Sequence, residues 1–416
     1  MTTWNANAGK AAVAACISPI DNPLHESRLY AMTHVAIHDA LNAIDRRSEP
    51  YALDIRVPRS ASPEAAVATA ARDVLTSQLA ELPPPFPKTC RDAGVASAEA
   101  DYTAALASIA DTPARRQGVL AGRAAAAAIV AVRAADGSDT PLVVSDYRQG
   151  TRPGEYRFTP DRPFAFAPGW GDVTPFVLRD SAQFRPGPPD ALTSRGYARD
   201  FEEVKRLGGD GVTTPSARTA DQTQIARFWL ESSPLAWNRI ARTVSAAREV
   251  GLWENARLFG LLNSALADGY VGSFDTKYHY DFWRPVTAIQ EADDDGNPRT
   301  VGDPTWTPLV TTPPIPDHDS AHAVEGAAAA TVMRRFFGTD RIRFETCSLT
   351  LAAGSRCTDG SPVSRSYRSL SEAAVENGLS RILIGFHFRR AVDAGLDHGR
   401  AIGNRAVDRF LLPVPR

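Results

Sequence analysis

Seven residues in the last third of the chain have the types and spacing of an anion cage: Lys277, Arg284, Ser320, Ala321, His322, Arg381 and His387. They lie in three segments. The first is Lys277-Tyr-His-Tyr-Asp-Phe-Trp-Arg284-Pro285, the second Pro316-Asp-His-Asp-Ser320-Ala321-His322, the third Ser380-Arg381-Ile-Leu-Ile-Gly-Phe-His387. Three cations, two imidazoles and a helix start suit a highly charged tetrahedral oxyanion, because fixed donors and positive charge replace its hydration shell. Phosphate and vanadate have that shape and charge.

Each segment makes a geometric demand. Lys277 and Arg284 are seven apart, so on one helix they share a face two turns apart, and Pro285 then bends or ends that helix. Prolines 313, 314 and 316 stiffen the approach to Ser320, which sits where a helix should begin. Ser320 offers a hydroxyl, Ala321 only its backbone N–H, and His322 in the first turn a general acid or base. Arg381 carries a forked guanidinium suited to paired oxyanion bonds. His387 follows six residues later, off that helical face, so the helix is expected to loosen near Gly385 and turn His387 inward. Bland readings stand beside these. They are a solvated basic pair next to an aromatic cluster of Tyr280, Phe282 and Trp283, a Ser N-cap with an incidental histidine, and a histidine capping a helix end.

The elements that must carry these residues read as helical almost throughout. Ser62-Pro63 and Thr112-Pro113 each look like an N-cap followed by a first helical residue. Helices are expected over Leu24–Arg46, Pro63–Leu82, Ala93–Ala110 and Pro113–Ala135. Further ones are expected over Leu192–Leu207, Thr219–Glu231, Leu235–Val250, Trp253–Tyr270, Ser320–Phe337, Ser371–Ile384 and Ala391–Leu412. Residues 137–190 are rich in Pro, Gly and aromatics without a helical period, and read as a long irregular connection that helps roof the site. Leu142, Val143 and Val144 are too few for a strand of consequence. The expected architecture is all-α, with two packed helical bundles: 1–136, then the connection 137–190, then 191–416 carrying the site.

The order and internal spacing of the three segments resemble the vanadium-dependent haloperoxidase and type 2 phosphatidic-acid phosphatase superfamily. Its pattern is Lys-x6-Arg-Pro, Pro-Ser-Gly-His and Ser-Arg-x5-His. The first and third segments match completely; the second reads Asp319-Ser320-Ala321-His322. Phe282-Trp283-Arg284-Pro285 and the helical N-terminal half, with Trp4-Asn5-Ala6 and the run from His34 to Asp45, look more like the haloperoxidase branch. The resemblance implies that Lys277, Arg284 and Arg381 bind the equatorial oxygens of vanadate, or of phosphate in the same site. Ser320 and the Ala321 amide would donate to those oxygens. His387 would be the axial vanadium ligand, or the nucleophile forming a phosphohistidine in a phosphatase, and His322 the acid–base group opposite. Lys277 would also polarise bound hydrogen peroxide. The implied activity is vanadate-dependent oxidation of halide by hydrogen peroxide to a hypohalous-acid equivalent. The alternatives are acid hydrolysis of a phosphomonoester at His387 and a non-catalytic anion-binding relative. Two departures stand out. Ala321 replaces Gly, and its Cβ narrows the approach to the amide. Ala391 stands where many members place an Asp that orients the last histidine, with Asp393 nearby as a substitute.

Bulk properties narrow the partners. The 416 residues are 43% hydrophobic and 23% charged, with a net charge of −2, which gives no electrostatic footprint for nucleic acid or an anionic membrane. No apolar run approaches the roughly 18 residues of a membrane span. Met1-Thr-Thr-Trp-Asn has no basic n-region or apolar stretch of a signal peptide. Either the protein is intracellular or a leader was removed and Met1 added; Cys347 and Cys357, which flank a loop that could close a disulfide, favour the second reading and a secreted or periplasmic protein. Cys16 and Cys90 are either a second pair or buried thiols. A homodimer is compatible with this size. His34 and His38, i,i+4 beside Asp39, read as structural, since no third metal ligand is evident. His318 and Asp319 either tune His322 and halide access or form an exposed loop pair. The 278–283 aromatics read as core or pocket wall.

Overall fold

Two helix starts read from the sequence close on their caps. The Ala65 amide donates to the Ser62 hydroxyl at 3.2 Å and the Arg115 amide to that of Thr112 at 3.3 Å, with Pro63 and Pro113 as first helical residues. A proline there forfeits no ladder bond. The computed structural model describes residues 1–415. Its N-terminal helices are α1 (Thr2–Ala14), α2 (Pro23–Ile44), α3 (Pro63–Ala80), α4 (Lys88–Ala107) and α5 (Pro113–Val132). After the long connection come α6 (Arg195–Gly208), α7 (Ala220–Phe228), α8 (Ser233–Ala247), α9 (Leu252–Tyr280) and α10 (Pro285–Gln290). Then follow α11 (Ala321–Phe337), α12 (Leu370–Leu383) and α13 (Arg389–Arg409).

The architecture is all-α, as expected, with helices α1 and α10 added and α9 running ten residues further at its C-terminal end than its periodicity suggested. Helix α1 starts at Met1 without a side-chain cap and buries mostly small residues, Ala8, Ala11 and Ala12 beside Trp4, so it lacks the usual start signal. Two short antiparallel pairs also form. Strand β1 (Val143–Val144) pairs with β2 (Ala165–Phe166), so the short apolar run does have a structural use in pinning the connection. Strands β3 (Phe344–Cys347) and β4 (Ser364–Tyr367) pair from Phe344 opposite Tyr367 to Cys347 opposite Ser364. The Cys347–Cys357 disulfide closes at the end of β3, and Cys16–Cys90 ties the end of α1 to α4.

Helix α2 is buried along nearly its whole length; only Pro23 and Arg28 are partly exposed. Such a helix is a core helix, and its polar groups are tied off internally. Asp39, for example, accepts from the amides of Tyr51, Ala52 and Leu53. The main apolar core takes residues from Trp4 to Leu411, so helices from both halves of the sequence pack into it. The 137–190 connection is anchored onto α9, where buried Asp268 accepts from the amides of Phe176, Val177 and Leu178 at 2.6–2.7 Å.

One packing contact matters most for the site. On α13, Gly395, Gly399 and Gly403 face the carbonyls of Ser320, Val324 and Ala328 on α11. A Cβ at Gly399 would stand 2.0 Å from the Val324 oxygen. The two backbones therefore approach more closely than any side chain would permit, which fixes the start of α11 against α13.

Candidate anion site

The first cationic pair meets by a corner, not by helical periodicity. Helix α9 ends at Tyr280, and Asp281 turns the chain in the left-handed region at φ 47°. Arg284 lies beyond that turn and precedes α10, whose first residue is Pro285. The shared helical face expected from the spacing is thus replaced by a reversal, and Pro285 starts a helix instead of ending one. Asp tolerates the left-handed turn, and proline at N1 favours the restart. The connection braces this corner: the Tyr156 amide donates to the Asp281 carbonyl at 2.8 Å and the Trp283 amide to that of Gly154 at 3.0 Å.

Lys277, fully buried, donates to the carbonyls of Pro316 (3.1 Å), Asp317 (3.0 Å) and Asp319. An ammonium has three protons, so the 316–319 backbone takes all of them. Arg284 donates through Nε to Ile315 O (2.6 Å) and through NH1 to Phe386 O (2.8 Å). The 315–320 segment is therefore strapped to the α9–α10 corner. Asp319 is held from two helices: Ser273 Oγ on α9 donates at 2.7 Å, and His398 Nδ1 on α13 lies 2.8 Å away. His318 is buried too, with Nε2 2.9 Å from Gly187 O. The exposed-pair reading of His318 and Asp319 is thereby corrected; the strapping draws both inward.

Ser320 precedes α11, and its amide donates to Ala391 O at 3.0 Å. Its hydroxyl is buried and has no partner among the described residues. Helix α12 ends at Leu383, and Gly385 turns at φ 87°, so the expected loosening occurs there. The amides of Phe386 and His387 both return to Arg381 O, at 3.0 and 3.2 Å. Arg381 donates through NH1 to Trp229 O (3.1 Å), while its buried Nε has no partner among the described residues. His322 Nε2 lies 3.3 Å from Glu231 O. A carbonyl only accepts, so Nε2 carries the proton and Nδ1 the lone pair.

The structure brings the three segments together. Burial, then the Arg284 charge, lowers Lys277 to about 7; burial, then Arg284, lowers Arg381 to about 9. Burial likewise lowers Arg284 from its ordinary value. His387 is held well below the usual imidazole value by burial, then by Arg284, Lys277, Arg381 and His322. His322 is similarly low, through burial and Arg381. Burial pushes Asp317 up to about 7 against the pull of Arg284 and Lys277. For Asp319 burial opposes ionisation, but the His398 bond and charge outweigh it and hold the carboxyl below its ordinary value.

Two buried guanidiniums and a lysine near half-charged at pH 7 thus face Asp319 and an Asp317 that is also near half-neutral, which leaves a net positive charge. Uncompensated buried charge and unpartnered donors are costly. Ser320 Oγ and Arg381 Nε are such donors, and a tetrahedral oxyanion would answer both deficits. The residues present therefore fit vanadate or phosphate.

The sequence reasoning missed Asp317, whose Oδ1 lies 2.8 Å from His387 Nδ1. Asp393, the substitute suggested by its spacing, is exposed and faces Arg389 at 4.0 Å instead. The absence of an acid at 391 was the only available signal that another carboxylate was needed. Ser273 and His398 carried no motif. His34 lies 2.7 Å from the Asn5 amide nitrogen, while His38 meets Asp39 and Ser48, so the two rings serve separate internal bonds. Among the 278–283 aromatics, Trp283 is core, and the Tyr278 and Tyr280 hydroxyls bond Phe166 O and Pro186 O in the connection.

Residues 257–413 match the family model described as the VCPO second helical-bundle domain. A vanadium chloroperoxidase from Curvularia inaequalis is 26% identical over 297 residues, covering 57% of this chain and 48% of that protein. The match thus spans about half the length of that relative. A bacterial vanadium-dependent iodoperoxidase superposes with a TM-score of 0.77 at 22% identity, over 100% of this chain and 97% of that one. A holo-type bacterial vanadium-dependent chloroperoxidase gives 0.74 at 18% identity, over 97% and 94%. Residues 257–413 thus match the VCPO second helical-bundle domain, within a chain that has the fold of the vanadium-dependent haloperoxidases.

Proposed function

We propose that this protein is a vanadate-dependent haloperoxidase that oxidises halide with hydrogen peroxide to a hypohalous-acid equivalent. The observation that carries the reading is a buried surplus of positive charge with two unpartnered donors, Ser320 Oγ just before α11 and Arg381 Nε in the last turn of α12. The likeness to a vanadium chloroperoxidase favours halide oxidation over the other chemistries of such a cage. Arg284 and Arg381 would bind the anion's oxygens, with Ser320 and the Ala321 amide donating from the helix start. His387 would present its imidazole to the central atom. When bound, vanadate supplies a Lewis acid that activates hydrogen peroxide. His322 is neutral through burial and the Arg381 charge, with its lone pair on Nδ1; the negative charge of a bound anion would raise its basicity and favour taking a proton there. Lys277 would contribute charge and hold the 316–319 backbone in place.

The saturation of Lys277 by three carbonyls favours a second reading. Peroxide polarisation needs a free ammonium proton; hydrolysis of a phosphomonoester with His387 as nucleophile does not. Dye bromination by the purified protein with bromide and hydrogen peroxide, before and after orthovanadate loading, tests the first. Activity only after loading is expected, and His387→Ala should abolish it along with vanadate retention. Vanadate-inhibited hydrolysis of p-nitrophenyl phosphate, without bromination, would establish the second instead.

A further inference from the structure

Position 391 is alanine, yet His387 does not lack a carboxylate. We propose that Asp317, from the segment before α11, orients His387 in place of an acid one turn after that histidine. The inference rests on the reading of His387 as the residue facing the anion. Arg284 NH1 lies 3.0 Å from His387 Nε2 and 3.4 Å from Nδ1. A guanidinium only donates, so the nearer nitrogen, Nε2, is the acceptor and carries the lone pair. The ring proton is then on Nδ1, and Asp317 Oδ1 stands 2.8 Å from it. That oxygen is buried and has no formed hydrogen bond among the described residues. The pair is within reach but out of line, as such bonds often are before a ligand tightens the site.

Asp317 is itself held firmly. Its carbonyl accepts from Lys277 and its amide donates to Phe282 O at 2.9 Å. A second observation makes the exchange of positions intelligible. Asp317, His318, Phe388 and Ala391 line one small cavity. Positions 317 and 391 thus border one space, one from the loop and one from α13, next to Phe388, the residue that follows His387. Of these two positions only the loop one carries a carboxylate, and it stands against Nδ1. Asp317 is a positioning residue: it sets the tautomer and keeps the lone pair on Nε2, where Arg284 holds it until the anion takes that place.

The test combines imidazole 15N NMR of the anion-free protein with orthovanadate titration by calorimetry. His387→Gln identifies the His387 signals. The wild-type ring should show Nδ1–H with Nε2 bare. Asp317→Asn removes the charge and can present an N–H to Nδ1, so the proton should shift toward Nε2 and vanadate affinity should fall about 10- to 100-fold. Asp317→Asn with Ala391→Asp should restore the tautomer and most of the affinity. Should the double variant fail to fold, the single variant decides. An unchanged tautomer in Asp317→Asn overturns the proposal, whether or not affinity falls. If the wild type binds no vanadate but its tautomer responds to Asp317→Asn, the proposed function fails and the role of Asp317 stands.

Discussion

Ala321→Gly separates two views of the departure at the helix start. If Cβ narrowed the approach to the cage, glycine would raise anion affinity. The structure places Ala321 in an apolar cluster with Leu24, Trp170, Tyr270 and Phe274, which puts its methyl against packed side chains. Removing a buried methyl costs about 0.8 kcal/mol, and glycine within a helix adds about 0.5–1 kcal/mol. The first-turn position lowers the second figure, so the loss is about 1–2 kcal/mol. At about 2.1 cal/mol/K of unfolding entropy per residue, a chain of this length should melt about 2 °C lower. The assay pairs thermal unfolding of the anion-free protein with orthovanadate titration of the wild type and the variant. Lower stability with affinity unchanged within a factor of two is expected. A tenfold gain in affinity, about 1.4 kcal/mol, with no loss of stability would refute the reasoning and return the methyl to the cage wall.

Other expectations follow from the same geometry. Lys277 sits near 7 in the folded state, below its ordinary value of 10.5. Between these values the unfolded chain binds a proton that the folded chain does not, so this lysine makes stability rise with pH there. Lys277→Met should remove that rise, up to roughly 5 kcal/mol, in denaturant titrations across that range; parallel pH profiles would show that the lysine is not desolvated. The Cys16–Cys90 bridge closes 74 residues and Cys347–Cys357 closes 10. Loop entropy assigns them about 4 and 3 kcal/mol, so Cys16→Ser/Cys90→Ser should unfold at lower denaturant than Cys347→Ser/Cys357→Ser. Gly399→Ala would drive a Cβ into the Val324 carbonyl. It should cost about 1–3 kcal/mol and weaken vanadate binding by displacing the start of α11; normal binding would mean that the α11–α13 contact does not position Ser320.

Much of the fold was legible in the sequence because its signals are short-range. Ser62 and Thr112 cap their helices, Pro63 and Pro113 occupy N1, and apolar periodicity marks the long helices. Such signals depend on a few consecutive residues. Helix α1 starts without a side-chain cap, and α10 is only six residues long, so neither announced itself. The three segments of the candidate anion site could be read by spacing, since each demands particular residue types within a short stretch. The corner at Asp281 could not, because a seven-residue interval fits both one helix face and a reversal between two helices.

The sequence by itself determined an all-helical chain, its cysteines, and the chemical types collected around the cage. The tertiary structure alone decided which groups meet. It spent the three Lys277 protons on backbone carbonyls, buried His318 and Asp319, and set Asp317 instead of Asp393 beside His387. The physical reason is that residue type fixes what a side chain can donate or accept. Which partner lies within 3 Å depends on how closely α9, α11 and α13 pack, and glycines such as Gly399 on α13 set that distance from across the chain.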